Sequence, residues 1–572
     1  MRVSAWAADI DNKYFAKKDF LISNGKIVKI DLIDDKKFFI LNDLNKNKDL
    51  LTACLNESDT EINKIVFDGP LILIPVFVDS HIHIESSMLR PDEFSRTAVC
   101  HGTGAVVADP HEIVNVCGIM GLNYMMRSAE LTPMEIVFGV PSCVPACKID
   151  LSGFYLSPED TETLLRRKDT GFLGEVMDYS SVIKGDEQIL LKIRAAEKVN
   201  KPVDGHCPGL TGAELEKYIN AGITTDHEVV SLSEGEEKIK GGMKIQIRQG
   251  SASRDFEKLW PLVEKYPDQC MLCTDDLHPD DLEKGHINLM VSELLKRGVD
   301  FFKVIKAAAV NAVKHYNLKT GLLKKGDSAD FILYDPVNFK IAATVLKGRI
   351  VSLNGEKKIK RNTPEQLESI NNRNFSKNDF LIHHEKSCIN VIRVIKDSLM
   401  TKRMKVRPNI IDGHAVSDIN RDILRFSVVS RYNTDDIAHA FVNGFGIKYG
   451  AMASSVSHDS HNVAVIGADE ESMARACELV FENQGGLVWY CPEESFVLPL
   501  SAAGLISLSD CADTAASYQK LNELVTKAGS LLRAPFMTLS FLSLPVIPDI
   551  KLTSKGLFDV RENKFRPLFE KC

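Results

Sequence analysis

The sequence predicts an α/β protein: a TIM-like (β/α)8 barrel, a small β-domain formed by segments flanking the barrel, and a C-terminal α+β domain. Three observations lead there. From residue 71 onward, buried apolar runs alternate with helical stretches, the pattern of parallel β/α construction. The runs number eight, which closes a barrel. The chain is 572 residues long, more than one hydrophobic core organises, so further domains must accompany that barrel.

In chain order, 1–68 reads as the first part of the small β-domain. Apolar runs at 19–30 and 38–41 alternate with polar turns, and Asn24-Gly25 is a strong turn signal. Within it, 42–64 is rich in Asn, Asp and Lys and reads as an inserted loop or a poorly ordered excursion, without an assigned function. The barrel is expected over 69–318, with strands at 71–78, 105–108, 135–140, 172–176, 202–204, 223–226, 244–247 and 271–274, and a helix at 301–315. Strand patterning returns at 330–334 and 341–353, so 319–358 completes the β-domain. The Lys-, Asn- and Glu-rich stretch 359–379 reads as a linker. A separate domain then fills 380–572.

Hydrophobic residues make up 44% and charged residues 26%, ordinary for a globular protein with a sizeable core. The net charge of -8 argues against nucleic acid and anionic membrane as partners, because both require a positive field. No run approaches the roughly 20 apolar residues that span a bilayer, and residues 1–10 lack the apolar core of a signal peptide. A cytoplasmic protein acting on a small molecule is expected, assembled as a homo-oligomer. The 13 cysteines are dispersed and odd in number, which reads as reduced thiols. Cys270 and Cys273 sit three apart in a strand and point to opposite faces, so they share no metal.

The first barrel strand ends in Asp79-Ser80-His81-Ile82-His83-Ile84-Glu85. His81 and His83, two apart in extended chain, project to one side and can chelate one divalent ion. Five other strand ends carry matching groups: Asp109 and His111-Glu112, Glu175, His206, His227-Glu228, and Asp275-Asp276. Leaving such groups buried and uncompensated costs roughly 2–7 kcal/mol each, so coordinated metal is the economical reading. His81, His83 and Asp275 would hold one ion, His206 and His227 a second, with Glu175 bridging. Two ions lower the proton affinity of a shared water, and Asp275 would take its proton as general base.

These residues and their surroundings resemble the adenine deaminase family within the amidohydrolase superfamily. The matching stretches are VDSHIHIESSM, HGTGAVVADPHEIVNVCG, GEVM, VDGHCPGL, AGITTDHE, CTDDLHPDDLEKGHI, AMASSVSHDSHNVAVIG and LSFLSLPVIPDIKLTSKGLFDV, so the likeness covers nearly the whole chain. It implies a glutamate bridge, here Glu175, and hydrolysis of the purine base adenine to hypoxanthine and ammonia in purine salvage. It also implies two divalent metal ions per chain, manganese or iron. Glu85, His111 and Glu112 fall in the matching motifs. Glu85 and Glu112 are candidate catalytic residues beside Asp275, donating to purine nitrogens or orienting the ligands. His111 and Asp276, with His458 and His461 of the C-terminal domain, are candidates for contacting substrate or orienting ligands.

The likeness frays at three places. Val76 stands where the family has glycine, Cys147-Lys148-Ile149-Asp150 departs from the family's continuation after Ala146, and Tyr432 replaces the histidine of an arginine-histidine-glycine run. Three other readings stay open at this level: an N6-methyladenine deaminase, a hydrolase of cyclic amides, and a non-catalytic metal-binding scaffold.

Overall fold

The computed structural model describes residues 1–39, 53–56, 64–67, 71–147, 149–251, 253–385, 387–396, 398–432 and 436–572. Most of the 42–64 insertion, Lys148 and Asn433 therefore lie outside the described residues.

Strands Arg2–Asp9, Tyr14–Ser23 and Lys26–Phe38 form an antiparallel meander. Its second turn is Asn24-Gly25, both at positive φ (50° and 75°), as a tight hairpin requires. Strands Phe331–Asp335, Lys340–Leu346 and Arg349–Leu353, from the far side of the barrel sequence, complete the same sheet. The joint is Ile72–Pro75, antiparallel to Phe331–Asp335 and parallel to Arg2–Asp9. This corrects the expected single strand at 71–78. Pro75 has no amide hydrogen to extend a ladder, the chain changes sheets at Val76, and the barrel strand begins at Phe77.

The parallel strands are β1 (Phe77–Ile82), β2 (Thr103–Ala108), β3 (Glu135–Val140), β4 (Thr170–Val176), β5 (Val203–Gly205), β6 (Thr225–Asp226), β7 (Lys244–Arg248) and β8 (Cys270–Cys273). All eight exist, but the expectation of one closed sheet is corrected. Strands β1 to β5 form one sheet and β6 to β8 another. One seam is crossed by a bridge between Ile82 and Asp275, with Asp275 N–H donating to His81 O (3.0 Å) and His83 N–H to Asp275 O (3.2 Å). At the other, Thr224 N–H donates to Val203 O (2.9 Å). At this second seam the reason is strand length: β5 and β6 have three and two residues, too few for a continuous ladder. Val78, Val107, Phe172 and Met271 pack inside, and the strands are buried on both faces as parallel sheets demand.

The C-terminal region is built on a nine-stranded, mostly antiparallel sheet flanked by helices Glu470–Glu482 and Cys511–Lys527. The second helix buries Tyr518, Leu521, Leu524 and Val525 on one face, and Asp510 caps it by accepting the Asp513 N–H, worth about 1 kcal/mol. This region sits on the barrel at the C-terminal ends of the strands: Ser507 N–H donates to Met88 O (2.8 Å), and Ser554 Oγ to Asp150 Oδ1 (2.6 Å). Residues 359–379 run between the two bodies and touch both. Thr363 O accepts from Arg90 and Glu365 O from Tyr124, while Leu367 bridges to Ala502.

One cysteine expectation is corrected. Strand Cys388–Val394 pairs with Phe569–Glu570, which brings the last residue beside it, and Cys388 and Cys572 form a disulfide. Among the described residues no helix is long and apolar enough to cross a membrane.

Candidate metal centre

The strand ends converge on one buried cluster at the face where barrel strands present their functional groups. His81 lies on β1 and His83 just past it. Glu175 lies on β4, His206 follows β5 and His227 follows β6. Asp275 stands two residues beyond β8, in a left-handed conformation (φ 59°). The two oxygens of Glu175 face different histidines. Oε1 is 3.4 Å from His83 Nε2 and 3.5 Å from His111 Nδ1, while Oε2 is 2.6 Å from His206 Nδ1 and 3.1 Å from His227 Nε2. Asp275 Oδ1 lies 3.2 Å from His83 Nε2 and 3.8 Å from His81 Nε2.

These donors group as His81, His83 and Glu175; as Glu175, His206 and His227; and as His81, His227 and Asp275, each set within 4.8 Å. Glu175 is common to the first two. The fit to cations is carried by orphaned atoms. Both ring nitrogens of His81, and Nδ1 of His227 and of His111, are buried with no hydrogen-bond partner among the described residues. Without an ion that costs several kcal/mol, and the donor set suits first-row divalent metals. The histidines respond to the surplus of carboxylates. Burial works against the proton on His206, but the adjacent Glu175 raises it to about 9. Burial and His83 oppose the proton on His111, yet Asp109 raises it to about 10.

Asp109 orients the bridge candidate. Its Oδ2 accepts the Glu175 N–H at 2.8 Å, and a Cβ on Gly174 would come within 2.3 Å of that oxygen. Glycine before the glutamate in GEVM is therefore a requirement of close approach. Asp109 O also accepts from His83 Nδ1 at 2.9 Å, which leaves Nε2 aimed at the cluster.

The loop 455–462 of the C-terminal region lies over this centre. His458 Nδ1 is 3.2 Å from Glu112 Oε1, and His461 Nε2 is 3.9 Å from Glu112 Oε2. Burial disfavours charge on His458, but Glu112 outweighs it and raises the imidazole to about 9. Glu112 is held well below the carboxylate range, burial being overcome by His458. Phe541 stacks on His458 with centroids 4.4 Å apart. Tyr432 does not enter the cluster: its hydroxyl donates to Ser460 O (2.6 Å), and Arg431 donates to His461 O (3.3 Å), so both pin the loop.

Glu85 and Asp276 border a small cleft between the barrel and the C-terminal region, with His278 and His458 on its polar side and Leu487, Phe536 and Met537 on its apolar side. Burial, reinforced by the neighbouring Glu112 charge, raises Glu85 to about 8, so it keeps a proton at neutral pH. Burial and then Asp275 raise Asp276, whose Oδ1 accepts from Ser86 at 2.6 Å.

Sequence reasoning missed Arg248, at the end of β7, and Phe541. The first carries a signal, a polar residue at a strand end, but a guanidinium is not a metal ligand and falls outside the pattern of histidines and carboxylates. The second is marked only by its place in the matching stretch LSFLSLPVIPDIKLTSKGLFDV.

The eight strands, the flanking β-sheet and the buried histidine-carboxylate set are those of an amidohydrolase. Accordingly, residues 72–351 match the model described as Amidohydrolase family, and residues 398–564 that described as Adenine deaminase C-terminal domain. Adenine deaminase of Salinibacter ruber is 45% identical over 490 residues, 85% of this chain and 90% of that protein. The Sulfurovum sp. enzyme of the same name is 45% identical over 497 residues, 86% and 91% of the two chains. That of Methanosarcina acetivorans is 43% identical over 514 residues, 88% and 93%. This chain belongs to the adenine deaminase family.

Proposed function

We infer that this chain hydrolyses adenine to hypoxanthine and ammonia, using two divalent metal ions held by His81, His83 and Asp275 on one side and His206 and His227 on the other, with Glu175 between them. The observation that carries the reaction class is the buried Glu175, whose two oxygens face different histidines, Oε1 towards His83 and His111 and Oε2 towards His206 and His227. The substrate comes from the relatives, which are named for adenine. The ions, manganese or iron in this reading, would lower the proton affinity of water at the centre and polarise the purine.

The chain's own groups supply proton traffic and orientation. Asp275, ionised because the His83 contact and the Arg248 charge outweigh its burial, takes the proton of the attacking water and returns it to the departing amine. Glu85, still protonated at neutral pH, donates to a ring nitrogen as C6 becomes tetrahedral and recovers a proton from the C6 hydroxyl as the carbonyl forms and ammonia leaves. Glu112, braced by His458, orients the purine edge. Leu487, Phe536 and Met537 exclude water from its faces.

The test is ammonia and hypoxanthine production by manganese-loaded protein, with metal counted on the same sample. Turnover of adenine with two ions per chain is expected. Protein that leaves adenine untouched while hydrolysing N6-methyladenine or a cyclic amide sinks the reading.

A further inference from the structure

The seventh strand ends in a cation where most others end in ligand candidates. Arg248 is buried, and all five of its N–H donors are engaged by three carboxylates. Nη1 donates to Asp275 Oδ2 at 2.7 Å and also to Glu228 Oε1. Nη2 reaches Glu228 Oε2 at 3.0 Å and Asp255 Oδ2 at 2.9 Å, and Nε reaches Asp255 Oδ2 at 3.2 Å. Glu228 follows His227, and Asp255 precedes the short helix Phe256–Leu259. One planar fork therefore ties the ends of β6, β7 and β8 together.

We propose that Arg248 is a positioning residue that sets which oxygen of Asp275 faces the metal centre. Backbone bonds to His81 O and from His83 N–H fix the Asp275 backbone but leave its carboxylate free to rotate. The guanidinium removes that freedom by holding Oδ2, and Oδ1 is left beside His83 and His81. Glu228 and Asp255 in turn hold the plane of the fork, which a lysine ammonium, a point charge on a flexible stem, cannot reproduce.

This inference rests on the role given to Asp275 above, and its test separates the two. Arg248→Lys keeps the charge and loses the fork. Manganese titration of the variant is expected to show one of the two ions bound roughly tenfold more weakly, as for other residues that orient a metal ligand. At saturating manganese, kcat for adenine is expected to fall on the order of 10²-fold, as positioning errors near 1 Å do, with KM within threefold of wild type. Asp255→Asn, which loosens the fork from its far side, should lower kcat by about tenfold in the same pattern if Arg248→Lys does not fold. Unchanged manganese affinity and kcat in whichever of these folds overturn the proposal. So does a kcat loss matched by equal loss of folded protein. If wild-type protein fails to release ammonia from adenine, the functional reading falls, while the manganese titration still decides the role of Arg248.

Discussion

At the scale of single residues, the site divides its carboxylates by environment. Glu175 and Asp275 are surrounded by imidazoles or a guanidinium and stay ionised against the cost of burial. Glu85 is buried beside another carboxylate and keeps its proton up to about pH 8. A pair of acids pushed apart in this way supplies a base and an acid at one pH. Glu85→Gln retains the shape but cannot transfer a proton. Steady-state assays should find kcat lower by roughly 10² to 10⁴, with manganese content unchanged. A variant as fast as wild type would remove Glu85 from the proton path.

At the scale of elements, the loop over the centre is held from several directions. Arg431 and Tyr432 grip its carbonyls, and Phe541 stacks on His458. Phe541 is itself held by Lys551 on the strand Ile550–Thr553, whose buried Nζ donates to Phe541 O (2.9 Å) and Leu399 O (3.0 Å). Burial lowers this lysine to about 7 from its ordinary 10.5. The folded-state value is the lower one, so the unfolded chain binds the extra proton between the two. Stability therefore rises with pH across that window, and what is gained is lost again as pH falls through about 7. Lys551→Met lacks the effect. Denaturant titrations from pH 7.5 to 9.5 should show the difference between wild type and variant growing in favour of wild type by about 1 kcal/mol per pH unit. A flat difference would place the lysine's charge in a better-solvated setting.

At the scale of the whole molecule, the buried histidine-carboxylate cluster draws its members from both barrel half-sheets, beneath the C-terminal region. In the proposed function, histidines and carboxylates from β1, β4 to β6 and the turn after β8 would be tied by coordination where no continuous strand ladder joins them. Chelation should lower Tm by at least a few degrees. A ligand at a hundred times its Kd contributes about 2.7 kcal/mol. Calorimetry of apo and manganese-restored protein measures the shift, and equal melting of both forms would show that the ions contribute nothing to folding.

What the sequence determined by itself is local. Strand periodicity and the residue at each strand end are properties of a few consecutive positions, so eight strands and the cluster of His81, His83, Glu175, His206, His227 and Asp275 could be read without coordinates. Pairings between distant segments could not. The change of sheets at Pro75, the division of the parallel strands into two sheets, the Cys388–Cys572 bond and the placing of His458 over Glu112 all join residues whose local patterns carry no record of their partners. Arg248 shows the boundary between the two. Its place at a strand end was legible, but that its five donors close on Glu228, Asp255 and Asp275 was decided only when three strand ends met in space.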